Sequence, residues 1–433
     1  MSARAAEAGA EIEFEEHSLE NGLRVVLSRD DRSPVVAVNL WYNVGSRNER
    51  PGRTGFAHLF EHMMFQGSAN VPEAGHFAFI EKAGGSLNGS TWLDRTNYFE
   101  TLPAHYLDLG LWLESDRLGW LLPAMTQAKL DNQRDVVKNE RRWRVDNQPY
   151  GDWDERLQAM MYPPDHPYHH SVIGSMEDLD AASLEDVEAF FRTYYAPNNA
   201  VLSLVGDFEP ARALERVRRF FGDIPRGPAV PPIPGRTTLP PVLGAEVRDT
   251  VEQDISLARV YEAYRIPAYG TDGYYPALVA AYVLAFGRAS LLYRTLVRDR
   301  QLAQDVVAYA FPIVVGASMM VSWATARQDV DVDELEVALS GQIEALATAD
   351  DADIERAVAL IETRHLLDLQ TVDERADQLS MHATLFDDPG RINTELERMR
   401  SVTAAAVRSF AEQYLRRENR AVLRYVPHAG AGR

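Results

Sequence analysis

Two histidines and a glutamate lie within five residues of a mostly apolar stretch. The stretch is GFAHLFEHMMFQGS, residues 55–68, and the three residues are His58, Glu61 and His62. On a helix, side chains four positions apart share one face, with Cβ atoms about 5–6 Å apart. Both imidazoles can therefore face one ion, at about 2.0–2.1 Å for zinc. Glu61 flanks that ion, where a carboxylate can take a proton from a metal-bound water.

This H-x-x-E-H pattern also has a structural interpretation, as a satisfied cluster on a helix surface. The apolar flanks favour the metal site, because packed histidines and a packed carboxylate need partners. A catalytic zinc ion requires a third protein ligand and an open position. The spacing does not separate Glu140 from Asp135 or Glu114 as that ligand. At this point an ion-pairing role on its own helix is the better interpretation of Glu140.

Other motifs give weaker signals. The Gly-rich AGGSLNGST lacks the ending of a phosphate-binding P-loop, and no G-x-S-x-G elbow occurs in the chain. The HPYHH stretch holds His166, His169 and His170. These three could bind a metal, but a loop rich in proline and tyrosine is the favoured interpretation.

Composition excludes several classes of protein. The chain has 433 residues, which predicts more than one domain, and 46% are hydrophobic. A formal charge of −20 argues against nucleic-acid binding, which requires clustered basic residues. The chain has no cysteine, which rules out disulfides and thiolate zinc sites.

The compartment is left open by the sequence. No apolar run approaches the roughly 20 residues needed to span a bilayer. The N-terminal MSARAAEAGAEIEFEEH lacks the apolar core of an intact signal peptide. If its Ala-rich start is the remnant of a processed one, the location is periplasmic, and otherwise a cytoplasmic location is expected.

A proline-rich segment, residues 224–241, divides the chain near its middle. Two helix–strand patterns on either side match at one offset of 220 residues, as in Phe190 with Phe410 and Asn199 with Asn419. Such matches predict a duplicated domain. We expect an α+β class of two domains, residues 11–223 and 242–428, each a mixed or antiparallel sheet packed with helices.

The chain resembles the pitrilysin-like inverzincin metallopeptidases, which include the mitochondrial processing peptidases. The resemblance runs through LENGLRVVL, GFAHLFEHMMFQGS, GGSLNGSTWLDRTNYFETLP, VVKNERRWRVDNQPYG, HPYHHSVIGSMEDL and FFRTYYAPNNAVLSLVGDF. It implies a zinc-dependent endopeptidase with one zinc ion per chain, held by His58, His62 and Glu140. Glu61 would be the general base that activates a zinc-bound water. Asn88 and Ser90 would lie nearest the scissile bond of an extended peptide substrate, although a turn role is an equal alternative for both.

The chain departs from the family pattern in two places. Family members often carry a second Glu seven residues before the ligand Glu, and Gln133 occupies that position here, where it would orient the ligands. They also often carry an Arg and a Tyr that grip substrate in the second domain. Those positions fall on Val297 and Gln304 here, with Arg298 one step off and Tyr309 the nearest tyrosine.

In the family, four such domains form a clamshell around unfolded peptides, so one chain would supply half of it. The missing Arg–Tyr pair favours a heterodimer in which a homologous subunit supplies the grip, with a homodimer as the rival. A non-catalytic assembly subunit is the alternative function. The intact set of His58, Glu61, His62 and Glu140 argues against it.

Overall fold

The computed structural model describes residues 11–428, which form two compact units. Unit 1 contains residues up to 138 together with 172–233 and 365–395, and unit 2 contains residues 139–171, 234–364 and those from 396 onward. Each unit is built on one β-sheet with helices packed on it. The N-terminal stretch that suggests a processed leader lies mostly outside the described residues.

Eleven strands occur within the described residues. Their bounds are β1 Glu15–Ser18, β2 Arg24–Arg29, β3 Val35–Tyr42, β4 Ser86–Thr91, β5 Thr96–Pro103, β6 Ala200–Gly206, β7 Val247–Gln253, β8 Arg259–Pro267, β9 Ala303–Ala310, β10 Ala317–Ala326 and β11 Arg420–Pro427.

Fourteen α-helices occur in the same part of the chain. Their bounds are α1 Phe56–Met63, α2 Gly75–Lys82, α3 Leu107–Trp120, α4 Gln127–Arg141, α5 Trp153–Met161, α6 Met176–Asp180, α7 Leu184–Tyr194, α8 Pro210–Phe221, α9 Tyr274–Ala285, α10 Val332–Glu344, α11 Asp351–Asp368, α12 Val372–Phe386, α13 Glu395–Arg400 and α14 Ala404–Tyr414. A π-helical turn, Arg142–Asp146, follows α4 directly.

The two sheets have the same topology. The first has the order β1-β2-β6-β3-β5-β4, and the second has the order β7-β11-β8-β10-β9. One parallel pair occurs in each, β2 with β6 and β7 with β11, and all other pairs are antiparallel. Without β1, the first order matches the second strand for strand. The predicted α+β class with duplicated mixed-sheet domains is therefore confirmed.

The 220-residue offset recurs in the atomic detail. Helices α7 and α14 begin and end at positions exactly one offset apart, as do the asparagines that follow them. Asn199 donates its side-chain amide to the Tyr194 carbonyl at 2.8 Å, and Asn419 donates to the Tyr414 carbonyl at 2.8 Å. The last carbonyl groups of a helix have no hydrogen-bond partner within the helix. Each asparagine amide satisfies one of these carbonyls.

The compact units do not follow the order of the chain. The predicted boundaries, 11–223 and 242–428, assume that each half of the sequence folds by itself. In the structure, α12 packs on β3 and β6 of unit 1, and α5 packs on β8 and β11 of unit 2. The C-terminal half of the sequence thus supplies α12 to the sheet of unit 1, and the N-terminal half supplies α5 to the sheet of unit 2. Periodicity along the chain cannot reveal such an exchange, because it carries no information about long-range partners.

The proline-rich segment behaves as expected in one respect. Residues 225–246 contain neither helix nor strand. Within residues 11–428, the structure contains no helix with the length and apolar character of a membrane span.

Candidate metal centre

Helix α1 carries the three residues of the H-x-x-E-H pattern. A buried carboxylate accepts hydrogen bonds from the backbone at its N-terminal end. The helix starts after Gly55, which has φ +84°, a conformation that glycine adopts without strain. Glu49 accepts hydrogen bonds from the backbone N–H groups of Gly55 at 2.9 Å and Ala57 at 2.8 Å. These bonds satisfy donors that the first turn of a helix leaves free. Burial raises the pKa of the Glu49 carboxyl well above its usual value, which the two N–H groups oppose.

His58, His62 and Glu140 come together in the structure. Among the described residues, they form the one group of three or more His, Asp or Glu side chains placed to hold a metal ion, with ligand atoms within 4.8 Å of one another. The rings of His58 and His62 lie 4.8 Å apart and perpendicular. Three donors bound to one zinc ion lie about 3.4 Å apart, so small side-chain rotations suffice. Two imidazoles and a carboxylate, each half-buried, fit zinc in donor type.

Glu140 lies in the last turn of α4, at the point where the α-helix changes into the π-helical turn. Arg144, one turn further on, approaches the Glu140 carboxylate at 2.8 Å. The Arg144 side chain is 64% exposed, whereas that of Glu140 is 16% exposed. π-helical turns are rare and occur often at functional sites.

Glu61 lies near three polar residues from two parts of the chain, Arg95 and Tyr98 around the start of β5 and Tyr195 at the end of α7. Its carboxylate interacts electrostatically with Arg95, Tyr98 and Tyr195. Burial raises the pKa of both tyrosines, and the negative charge of Glu61 contributes to the rise. Burial lowers the pKa of Arg95, and the carboxylates of Asp377, Glu61 and Asp94 oppose that shift. At neutral pH both tyrosine hydroxyls are therefore protonated.

Asn88 and Ser90 lie on β4, the edge strand of the first sheet, which contacts α1. Asn88 is exposed, and its side-chain oxygen accepts a hydrogen bond from the Gly89 N–H at 2.9 Å. Ser90 is half-buried and donates its hydroxyl to Asn97 Oδ1 at 2.7 Å. Arg95 donates to the Ser90 carbonyl at 2.8 Å. The Ser90 side chain is thus engaged within the sheet, whereas Asn88 is accessible.

A carboxylate from distant sequence holds this part of the sheet. Asp377 Oδ1, on α12, accepts from the Trp41 indole N–H at 2.7 Å, from Asn97 at 2.8 Å and from Asn39 at 3.2 Å. Asn97 in turn accepts the Ser90 hydroxyl. The chain of bonds therefore connects α12 to the edge strand beside α1.

A buried charged cluster lies behind Tyr98. The Arg117 guanidinium is 4.3 Å from the Tyr98 ring centre and is bonded to Glu114. Burial and the charge of Glu114 raise the pKa of the Glu100 carboxyl well above its usual value, against the opposing charge of Arg117. Gly110 on α3 leaves room for Glu100, since a Cβ there would lie 2.9 Å from Glu100 Oε1.

Gln133 lies where the sequence places it. It is buried on α4, two turns before Glu140 and on the same face. Its proposed role in orienting ligands stays a prediction.

The residues at the expected Arg–Tyr positions do not form an equivalent pair. Val297 is buried in a π-helical turn, and Gln304 is exposed on β9. Arg298 pairs with Asp299 at 2.7 Å. The ring of Tyr309 contacts those of Trp153, Phe311 and Trp323.

The histidines of HPYHH are engaged in local contacts. His166 is buried, its ring stacks on Tyr162 at 4.9 Å, and its Nδ1 accepts the Tyr168 N–H at 3.1 Å. Burial lowers the pKa of His166 to about 4. His169 Nδ1 lies 2.7 Å from the Tyr162 carbonyl. These contacts agree with the loop interpretation.

Sequence reasoning missed several residues that shape the site. Glu49 carries no local signal, because the N-cap position itself is a glycine. Asp377 acts across a sequence separation of 280 residues from Asn97, which no pattern in one chain reveals. Arg95 lies within a stretch quoted for the family resemblance, but its position beside Glu61 follows only from the fold.

Comparison with known proteins agrees with this fold. The family model for insulinase, peptidase family M16, matches residues 24–164, which contain His58, Glu61, His62 and Glu140. The model for the peptidase M16 inactive domain matches residues 181–361. The chain therefore belongs to the peptidase M16 family, as the resemblance implied.

Named relatives are peptidases. The chain is 32% identical over 295 residues to the zinc protease PqqE of Helicobacter pylori, covering 67% of this chain and 65% of that protein. It is 26% identical over 275 residues to the beta subunit of the mitochondrial-processing peptidase of Blastocladiella emersonii, covering 63% of this chain and 57% of that protein. In both cases, the match spans less than two thirds of the relative's length.

A solved structure matches over nearly the whole chain. The crystal structure of a protease from Helicobacter pylori superposes with a TM-score of 0.90 at 25% sequence identity. The match covers 96% of this chain and 99% of that one.

Proposed function

We propose that this chain is a zinc-dependent endopeptidase that hydrolyses peptides or unfolded polypeptides. The observation that carries the proposal is the convergence of His58, His62 and Glu140, with Glu61 one residue before a ligand. Membership of a family with relatives named zinc proteases supports it. His58, His62 and Glu140 would hold one zinc ion per chain. When bound, that ion supplies Lewis acidity, which acidifies a coordinated water and polarises a peptide carbonyl.

Glu61 is proposed as the group that moves the proton. Its carboxylate takes a proton from the attacking water and returns it to the leaving amine, as a general base and then a general acid. Arg95 supplies positive charge beside that carboxylate, and Tyr98 and Tyr195 are neutral neighbours that do not compete as bases.

The substrate is proposed to bind as an added strand. Strand β4 ends the sheet, so its outer backbone groups face no further strand of that sheet. An extended peptide can pair there through its own backbone, with little dependence on its sequence. Exposed Asn88 lies on this edge and can contact the substrate, whereas Ser90 more directly holds the strand in place.

The substrate grip is proposed to come from a partner. Val297 and Gln304 occupy the positions of the family's Arg–Tyr pair. A homologous subunit that carries the Arg and the Tyr would supply this grip and complete the clamshell around the substrate. The mitochondrial relative is itself named as a subunit. A homodimer is the alternative, and cleavage by the purified chain alone would favour it.

The test is cleavage of a quenched fluorescent peptide by the Glu61→Gln variant, in the presence of any partner that co-purifies. We expect a loss of about 10²- to 10⁴-fold in the cleavage rate, because the amide cannot accept the proton. Zinc content should stay at one ion per chain, since Glu61 is not a ligand. Glu81→Gln, on the exposed face of α2, is the matched control. Cleavage by Glu61→Gln at the wild-type rate would refute the assignment.

A further inference from the structure

The segment that follows Glu140 contains a residue in a strained backbone conformation. Tyr150 has φ +63°, in the left-handed region that bulky side chains rarely adopt. Such conformations persist only where the surroundings hold them, and they cluster at functional sites. Tyr150 lies ten residues beyond Glu140, after the π-helical turn that ends the ligand-bearing helix.

Tyr150 is held by contacts with residues of unit 2, among them an edge-to-face contact with the Tyr425 ring at 5.6 Å. The Tyr150 backbone N–H donates to Gln253 Oε1 at 2.8 Å, and its hydroxyl donates to the Leu257 carbonyl at 2.7 Å. The Arg259 guanidinium carbon lies 3.9 Å from the centre of its ring, a close cation–π contact. Gln253 ends β7 and Arg259 begins β8, so Tyr150 is anchored to both ends of one connection.

The backbone between Glu140 and Tyr150 transmits this anchoring. The Asn147 N–H donates to the Arg142 carbonyl at 2.8 Å, and the Gly151 N–H donates to the Gln148 carbonyl at 3.0 Å. A Cβ at Gly151 would clash with the Val145 carbonyl, so the turn folds tightly back on the π-helical residues. The segment leaves little freedom between the anchor and the ligand.

A salt bridge fixes the start of the same segment, next to Glu140, to α5. Arg141, next to Glu140, forms a bidentate pair with Glu155 on α5, and one of the two bonds is 3.0 Å long. On the same helix, the Trp153 ring stacks on Tyr261 of β8 at 5.4 Å. Arg141 is therefore connected through α5 to the second sheet, and Tyr150 is anchored to the β7–β8 connection of the same sheet.

We infer that Tyr150 is a positioning residue for the metal site: it fixes the segment that carries Glu140 to the β7–β8 connection. This inference rests on the proposed function. It assigns a role to the second sheet, whose own helix α9 carries Leu278, Ala281 and Tyr282 where α1 has its three functional residues. Loss of the anchor should move the third ligand without removing any ligand.

The test measures zinc affinity by competition with a chelator, together with thermal unfolding of the metal-free protein. In Tyr150→Gly, the ring and hydroxyl are lost but the left-handed backbone becomes unstrained. We expect zinc affinity to fall about 10- to 100-fold, as for other residues that orient ligands, while unfolding of the metal-free protein changes little. The visible spectrum of the cobalt-substituted protein should change as well, because it reports ligand geometry.

Two further variants complete the design. Tyr150→Phe keeps the ring over Arg259 and loses only the bond to Leu257, so it should retain most of the zinc affinity. Asp329→Gly relieves a similar backbone strain, φ +64°, at an exposed turn and should leave zinc binding unchanged. If Tyr150→Gly binds zinc with wild-type affinity and an unchanged cobalt spectrum, the inference is wrong. If the wild-type chain binds no zinc, the proposed function fails instead.

Discussion

At the scale of single residues, the site depends on buried carboxylates that the metal chemistry does not use. Glu49 supplies the acceptor that begins α1, because the helix starts at a glycine with no side chain. Glu100 shares a buried space with Glu114 and Arg117 behind Tyr98. Both carboxyls have raised pKa values through burial, so they affect stability differently from surface acids.

Replacement of Glu49 should weaken the start of the zinc-binding helix. In Glu49→Ala, the N–H groups of Gly55 and Ala57 lose their acceptor inside the protein. We expect a loss of about 1–3 kcal/mol in the free energy of unfolding, measured in urea. Zinc affinity should fall with it, since His58 lies in the first turn of α1. Glu73→Ala, at an exposed position before α2, is the control, and an equal effect there would contradict this role.

Glu100 should make stability depend on pH in a defined direction. Its pKa is higher in the folded than in the unfolded protein, so its contribution is fully present below pH 4.5 and is lost as pH rises toward the folded value. Glu100→Gln removes that loss. We expect the variant to gain stability relative to the wild type between pH 4.5 and pH 7, by at most about 1.4 kcal/mol per pH unit.

The measurement is urea unfolding of the wild type and Glu100→Gln across that range. Glu81→Gln, exposed on α2, should show no such divergence from the wild type. A constant difference between Glu100→Gln and the wild type across the range would show that the Glu100 carboxyl has an ordinary pKa.

At the scale of elements, α12 orders the edge of the first sheet. Asp377 on this helix accepts three N–H donors, from Trp41, Asn97 and Asn39. Asn97 then accepts the Ser90 hydroxyl on the edge strand. The strand proposed to pair with substrate is thereby fixed from the far side of the sheet.

Removal of the Asp377 carboxylate should therefore affect both stability and substrate binding. In Asp377→Ala, the donors of Trp41 and Asn97 lose their acceptor, which costs about 1–3 kcal/mol of stability. We also expect KM for an extended peptide to rise, because β4 is less well ordered, while zinc content stays unchanged. Asp377→Asn keeps an acceptor oxygen, so its KM should lie close to that of the wild type. Gln378→Ala, the next residue on the helix, is the control.

The elements themselves were largely predictable, whereas their partners were not. The stretch of residues 55–68, whose histidines were placed on one helix face, contains α1, Phe56–Met63. The two helix–strand patterns that match at the 220-residue offset appear as α7 with β6 and α14 with β11. The contacts of Asp377 and Tyr150 could not be predicted from the sequence, because each joins residues about 100 or more positions apart.

At the scale of the whole molecule, the two duplicated sheets are covered by helices in the same reciprocal way. The two sheets share one strand order, and each is covered by a helix from the other half of the sequence. In unit 1, this layer is a separate apolar core in which α12 meets the sheet, formed by Val26, Ala37, Val201, Val205, Ala376, Leu379, Ala383 and Ile392.

A fragment that follows the predicted domain boundary should therefore not fold by itself. Residues 11–241 would expose the apolar sheet face that α12 covers, including Val26 and Val205. We expect this fragment to lack a near-ultraviolet circular dichroism signal, which reports fixed tertiary packing. Addition of a peptide of residues 365–395 should restore the signal, and a peptide with Leu379→Asp should not. A fully ordered fragment without the peptide would contradict this description of unit 1.

The most direct measurement of the central claim is zinc K-edge X-ray absorption on the purified, zinc-loaded full chain. We expect one zinc ion per chain, with two imidazole nitrogens at about 2.0–2.1 Å and a carboxylate oxygen at about 2.0–2.2 Å. The imidazole signal should halve in His62→Ala, and the ion should be lost or weakly held in Glu140→Ala. A chain that retains no zinc, or that binds it identically in both variants, would contradict the assignment of His58, His62 and Glu140 as a metal centre.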